Sequence, residues 1–214
     1  MSSGRRGLFL DLDGTLADSI GALRGVYHAF LARHGATGTE EEFQRLNGPP
    51  LSAIVAELMS RHGLPGDHGA LMRLYADMAR DALTMVPPAP EAAAVLVRAA
   101  DRGWKVAVVT SSTHAHTQAW LRQVGLEGAV DLVVGGDDVG CGKPDPEPYR
   151  TALARLGCDP AASLALEDGA QGAMAALAAG LPTFVLMRAV PPALAGHAGL
   201  RGRLDRFAAI AEFL

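Results

Sequence analysis

The sequence predicts an α/β protein: a parallel sheet covered by helices on both faces, with a helical cap inserted directly after the first strand. Two observations carry this expectation. Short apolar runs alternate with helix-length segments through most of the chain, the pattern of strands buried on both faces and joined by crossover helices. Residues 17–86 interrupt that rhythm with helical periodicities and no convincing strand.

The first run, Gly7-Leu8-Phe9-Leu10, ends in Asp11-Leu12-Asp13-Gly14 and reads as a strand delivering Asp11 into a glycine turn. Later strands are expected at Val106 to Val109, Leu132 to Val134, Ser163 to Leu166 and Thr183 to Met187. Helices are expected between them at Glu91 to Asp101, Ala115 to Val124, Pro146 to Leu156 and Ala170 to Ala179. Within 17–86, three apolar stripes recur at three- and four-residue steps. They are Ile20, Leu23, Tyr27, Phe30, Leu31; Leu51, Ile54, Val55, Leu58, Met59; and Leu71, Leu74, Tyr75, Met78, Leu83. Each stripe is expected to pack helix against helix. The stiff segment Val86-Pro87-Pro88-Ala89-Pro90 returns the chain to the sheet. The expected division is therefore a core of residues 1–16 and 87–214 and a cap of 17–86.

Composition narrows the function. With 214 residues, 49% of them hydrophobic, the chain has ample material for a core, and a net charge of -4 gives no reason for disorder. The mild acidity and scattered arginines argue against nucleic acid as a partner. The apolar run before Asp11 is too short for a signal peptide, and no stretch spans a membrane free of charges, so a soluble cytoplasmic protein is expected. Cys141 and Cys158 are read as reduced thiols rather than a disulfide framework. Only two lysines occur, Lys105 and Lys143, which makes their positions informative.

Functional groups in an open parallel sheet gather beyond the carboxyl ends of the strands. Four such ends here carry polar residues: Asp11 and Asp13, then Thr110 and Ser111, then the loop Gly142-Lys143-Pro144-Asp145-Pro146, then Glu167 and Asp168. The set suits phosphoryl transfer. Asp11 can attack phosphorus as a nucleophile, and Asp13 can protonate the leaving oxygen and later deprotonate water. Asp168, with Asp11 and the backbone carbonyl of Asp13, offers the hard oxygen ligands that Mg2+ prefers. The cation offsets the repulsion between a carboxylate and a phosphate dianion. Lys143 would neutralise phosphate oxygens and Asp11, while the Thr110 hydroxyl and Ser111 amide would donate to the transferring group.

The motifs Asp11-Leu12-Asp13-Gly14-Thr15-Leu16, Val108-Val109-Thr110, Gly142-Lys143-Pro144-Asp145-Pro146 and Leu166-Glu167-Asp168 resemble, in order, the four motifs of the haloacid dehalogenase-like phosphatases. The insertion after the first motif is similar to the small helical cap of the phosphoglycolate phosphatase and beta-phosphoglucomutase branch. The resemblance implies a Rossmann-like core, a mobile cap, Mg2+ as cofactor and a small phosphorylated metabolite as substrate. Asp13 favours phosphate chemistry, because the dehalogenases lack that second aspartate. No lysine precedes Lys105, which sets aside the phosphonate-cleaving relatives. The segment Leu46-Asn47-Gly48-Pro49-Pro50-Leu51 lacks the arginine of the beta-phosphoglucomutases, so hydrolysis is favoured over a phosphomutase reaction. Gly169 stands where relatives often carry a hydroxyl residue. A receiver-type signalling domain, which also uses an Asp, a Thr/Ser and a Lys, is the alternative from another class.

The remaining polar residues have plainer expectations. Asp145 reads as a helix N-cap ahead of Pro146. Glu167 is divided between a supporting role near the metal and simple loop polarity. His114 and His116, two apart on a helix, point to different faces and are expected to be capping or solvated. Arg45 and Asn47 are weak candidates for substrate contact, with a surface role favoured.

Overall fold

The structure is a computed structural model, and it describes residues 4–46, 49 and 51–214. It divides into two compact units, residues 1–18 with 87–214, and residues 19–86.

The larger unit is built on six parallel strands: β1 (Gly7–Leu10), β2 (Lys105–Val109), β3 (Leu132–Val134), β4 (Leu164–Glu167), β5 (Thr183–Val185) and β6 (Leu200–Arg203). Their order is β3-β2-β1-β4-β5-β6. The chain therefore leaves β1 in one direction for β2 and β3, and fills the other side with β4 to β6. β1 is the switch point, where a parallel sheet opens a crevice beyond its strand ends. Register places Leu10 beside Val108 on one flank and Leu166 on the other. The residues that follow, Asp11 and Glu167, are consequently neighbours.

All four residues of β1 are buried, as a strand sandwiched between helical layers requires. Its side chains alternate across the sheet. Phe9 joins Val109, Val134, Ala165, Tyr149 and Ala176 in one core cluster. The helices flanking the sheet are α5 (Ala92–Asp101), α6 (His114–Gln123), α7 (Glu147–Leu156) and α8 (Ala170–Ala178). Of these, α7 packs on β2 and β3, and α8 on β4 and β5. The small residues Ala173, Ala175 and Ala176 of α8 are fully buried, which lets that helix lie close to the sheet.

The smaller unit holds α1 (Ile20–Arg33), α2 (Glu40–Leu46), α3 (Leu51–His62) and α4 (His68–Leu83). The three predicted stripes become α1, α3 and α4, and their residues, Leu83 excepted, share one core around Tyr27, Phe30, Val55, Leu58, Leu71 and Tyr75. Asp67 caps α4, its carboxylate accepting the Ala70 amide at 2.9 Å.

Helix α2 and strand β6 escape the sequence pattern. Helix α2 reads Glu-Glu-Glu-Phe-Gln-Arg-Leu and shows no stripe, because one of its inward positions belongs to a charge, Glu42. That carboxylate accepts a hydrogen bond from the Tyr27 hydroxyl and lies 2.9 Å from His62 Nε2 and 3.2 Å from Arg61 Nε. Strand β6 carries Leu-Arg-Gly-Arg at the sheet edge, alternating half-buried and exposed, and pairs with β5 across a register shift. An edge strand buries too little to announce itself by hydropathy. The predicted strand start at Ser163 moves to Leu164. Ser163 instead accepts the Gly7 amide at 2.9 Å and donates to the Asp159 carbonyl at 2.6 Å.

Burial works against the charged form of Glu42. The hydrogen bonds from Tyr27 and His62 and the charge of Arg61 outweigh it and hold its pKa below the ordinary 4.5. A depressed carboxylate pKa stabilises the fold above the unfolded-state value and is lost as pH falls below it. Thermal melts from pH 6 down to 3 are therefore expected to show a smaller loss of Tm for Glu42→Gln than for the wild type. Parallel curves would remove Glu42 from the acid response.

Candidate active site

Every residue singled out at the four strand ends falls in the larger unit. Asp11 leaves β1 with its amide donating to the Leu166 carbonyl at 3.1 Å, which ties it to the end of β4. The turn after it is closed by the Gly14 amide on the Ala17 carbonyl (3.0 Å) and the Ala17 amide on the Leu12 carbonyl (2.8 Å). Gly14 has φ +83°, where a side chain would be strained. Asp13 sits on this turn, partly exposed.

Lys143 is the hub. Its ammonium lies 2.6 Å from Asp11 Oδ1, 2.5 Å from Glu167 Oε1 and 2.9 Å from the Val109 carbonyl. An ammonium has three N–H donors, and all three are matched. The side chain is 7% exposed, so the charge is held among partners and not in water. Burial disfavours the ammonium, yet the charges of Asp11 and Glu167 outweigh it and raise its pKa above the ordinary lysine range.

The loop that delivers Lys143 is clamped by a residue the sequence reading passed over. Glu147, first in α7, accepts the amides of Gly140 (2.9 Å) and Cys141 (2.8 Å), and those bonds lower its pKa. Asp145 behaves as a local cap: its Oδ1 accepts the Glu147 amide at 2.9 Å, with the helix beginning at Glu147 and not Pro146. The peptide between Lys143 and Pro144 is cis.

Glu167 is far from simple loop polarity. It is buried, and its Oε1 accepts both Lys143 and, at 2.6 Å, the hydroxyl of Tyr149. Burial and the Asp11 charge push its pKa up to about 7, although Lys143 and Tyr149 pull it down. Burial, and then the Glu167 charge, raise the Tyr149 pKa well above its ordinary value, so this hydroxyl stays a donor. Tyr149 was legible only as one more residue of an apolar helical face; nothing in its spacing announces the polar head. Opposite, Gly172 in the first turn of α8 leaves the space the carboxylate fills. A Cβ there would lie 2.0 Å from Glu167 Oε1 and 2.1 Å from its Cδ.

The donor set can hold a cation. Asp11, Glu167 and Asp168 each offer a carboxylate oxygen within 4.8 Å of the others. Three carboxylates against one ammonium leave 3 − 1 = 2 negative charges when all are ionised, the charge a divalent ion cancels. Carboxylate oxygens are the hard donors that Mg2+ and Ca2+ take. Glu167, divided from sequence between a supporting role near the metal and simple loop polarity, belongs to this carboxylate group.

Thr110, buried at the end of β2, donates its amide to the Val134 carbonyl (3.0 Å), while its Oγ1 accepts the Ser112 amide (3.0 Å). Ser111 lies in the same turn, its carbonyl against Gly136. Ser112, also missed, reaches Asp13 Oδ2 at 3.0 Å. His114 opens α6, and its Nδ1 lies 2.8 Å from Asp138 Oδ2. Arg45 pairs with Glu57 at 3.0 Å in the helical unit, and Asn47 is outside the described residues. Gly169 heads α8 without a side-chain cap, and both cysteines are free.

The carboxylate cluster and the buried lysine thus stand together beyond the strand ends at the switch point of a parallel sheet. The chain belongs to the haloacid dehalogenase-like hydrolase family, which it matches over residues 8–186. It is 29% identical over 218 residues to a phosphoglycolate phosphatase of Rhodospirillum rubrum, covering 98% of this chain and 90% of that one. It is 30% identical over 180 residues to the fructose-1-phosphate phosphatase YqaB of Escherichia coli, covering 82% and 93%. Its fold superposes on CbbY of Rhodobacter sphaeroides, solved in complex with phosphate, with a TM-score of 0.75, 27% identity and 96% of each chain covered.

Inside a helix, Gly→Ala ordinarily gains about 1 kcal/mol. At Gly172 the sign is expected to reverse, because Glu167 can yield to the new methyl only by leaving Lys143 and Tyr149. A loss of about 1–3 kcal/mol is expected for Gly172→Ala in denaturant unfolding. A gain would mean the carboxylate relaxes at no cost.

Proposed function

We propose that this protein is a Mg2+-dependent phosphatase that hydrolyses a small phosphate monoester through an aspartyl phosphate on Asp11, and that phosphoglycolate is its first candidate substrate. The observation that carries it is the geometry around Asp11: a buried residue at the switch point, its carboxylate 2.6 Å from Lys143 and grouped with Glu167 and Asp168. Membership of the hydrolase family, and relatives whose names are phosphatases, support the same reading and leave the receiver-domain alternative without support.

Asp11, Asp168 and the backbone carbonyl of Asp13, with Glu167 beside them, would hold Mg2+, which supplies charge compensation for an anionic nucleophile meeting an anionic phosphate. Asp11 attacks phosphorus, forming the new P–O bond as the ester P–O bond breaks. Asp13 gives its proton to the departing alkoxide and takes one from the water that later cleaves the aspartyl phosphate. Lys143, 2.6 Å from Asp11 Oδ1, holds Asp11 oriented. The Thr110 hydroxyl and Ser111 amide serve the phosphate oxygens. The helical unit 19–86 would act as the cap that selects the leaving group.

With Mg2+, the purified protein is expected to release phosphate from p-nitrophenyl phosphate and from phosphoglycolate, and EDTA should stop it. Asp11→Asn should lower kcat by at least about 10³-fold, and Lys143→Ala by at least about 10²-fold. Undiminished turnover by Asp11→Asn would remove the nucleophile. Formation of an isomeric sugar phosphate with no phosphate release would instead favour the phosphomutase.

A further inference from the structure

Ser112 makes three hydrogen bonds to residues at or just beyond three different strand ends. Its amide donates to Thr110 Oγ1 after β2 (3.0 Å), its carbonyl accepts the Gly136 amide after β3 (2.8 Å), and its hydroxyl donates to Asp13 Oδ2 after β1 (3.0 Å). The turn carrying it has little freedom. Thr113, the next residue, caps α6 by accepting the His116 amide at 3.3 Å. On the other side, Gly135 and Gly136 press against the turn. A Cβ on Gly135 would lie 2.4 Å from the His114 nitrogen, and one on Gly136 would lie 2.6 Å from the Ser111 oxygen. Backbone occupies the space that any side chain at those two positions would need. The hydroxyl thus projects from a fixed platform, whereas Asp13 stands on a turn and is partly exposed.

We propose that Ser112 is a positioning residue for Asp13: by holding Oδ2 it turns the other carboxylate oxygen toward the reacting group and keeps it there. The proposal rests on the acid/base role of Asp13 given above. In the first half-reaction, an Asp11 oxygen bonds to phosphorus and the ester P–O bond breaks with its electron pair going to the leaving oxygen. The Asp13 proton moves to that oxygen, leaving Asp13 as the carboxylate. A leaving group that is stable as an anion needs no such proton. Misplacing Asp13 therefore harms alkyl esters more than aryl esters, a signature that a general loss of fold or of phosphate binding does not produce.

The test compares kcat/KM, which reports the first irreversible step, for phosphoglycolate and p-nitrophenyl phosphate at saturating Mg2+. Ser112→Ala is expected to shift the ratio of the two values about tenfold against phosphoglycolate. Ser112→Thr, which keeps the hydroxyl, should restore most of the ratio, and the Tm of both variants should stay near that of the wild type. An equal loss on both substrates, no loss, or no rescue by Thr would overturn the positioning role. Asp13→Asn is run alongside. If it shows the same selectivity while Ser112→Ala does not, Ser112 alone fails; if it shows none, the acid/base reading of Asp13 fails and the proposal with it.

Discussion

Lys143 is buried between two carboxylates and a backbone carbonyl, and the site's other features follow from what that requires. Desolvating an ammonium costs several kcal/mol unless its charge and all its donors are met. Here Asp11 and Glu167 meet the charge, and the Val109 carbonyl takes the third N–H. The partners come from the ends of three adjacent strands, so the arrangement exists only if β2, β1 and β4 lie side by side in register. Catalytic geometry and sheet topology are in this sense one constraint. Removing one member of such a buried pair typically costs about 3–5 kcal/mol, because the other is left uncompensated.

Holding the ammonium in place demands a further ring of residues with no reactive role. Glu167 must face Lys143, so Tyr149 donates to it from α7 and Gly172 vacates space for it on α8. Lys143 must arrive on a fixed loop, so Glu147 ties the Gly140 and Cys141 amides to the start of α7. Both helices pack on the sheet through small or well-buried faces. The packing of α7 and α8 therefore sets side-chain positions at the strand ends to within hydrogen-bond tolerance, as a preorganised site requires.

This two-layered construction explains what was legible in the sequence. Asp11, Asp13, Thr110 and Asp168 stand at or just after apolar runs, where hydropathy marks a strand end, and Lys143 lies in the glycine- and proline-rich loop that follows β3. The parallel sheet was legible for the same reason, since strands buried on both faces are apolar throughout. The supporting residues were not. Tyr149 lies on an apolar helical face, Gly172 looks like any helix glycine, and Ser112 is one serine in a polar turn. Their roles depend on what the fold brings opposite them. Helix α2 and strand β6 stayed hidden on the same principle: one turns a charge inward onto Tyr27, His62 and Arg61, and the other is an edge defined by its neighbour.

Asp11 and Asp13 are two residues apart yet are held by different parts of the sheet. Asp11 is anchored toward β4 through the Leu166 carbonyl and toward β3 through Lys143, and it is nearly buried. Asp13, on the turn, is reached by Ser112 from the platform beyond β2 and β3. The separation suits the two roles proposed for them. A nucleophile works best when fixed along one line of attack, which a buried contact with a lysine provides. A group that must accept and release a proton within each turnover needs to lie within hydrogen-bond reach of the reacting oxygen and of water. The glycine turn between them, with Gly14 in the left-handed region, lets one short segment serve both environments.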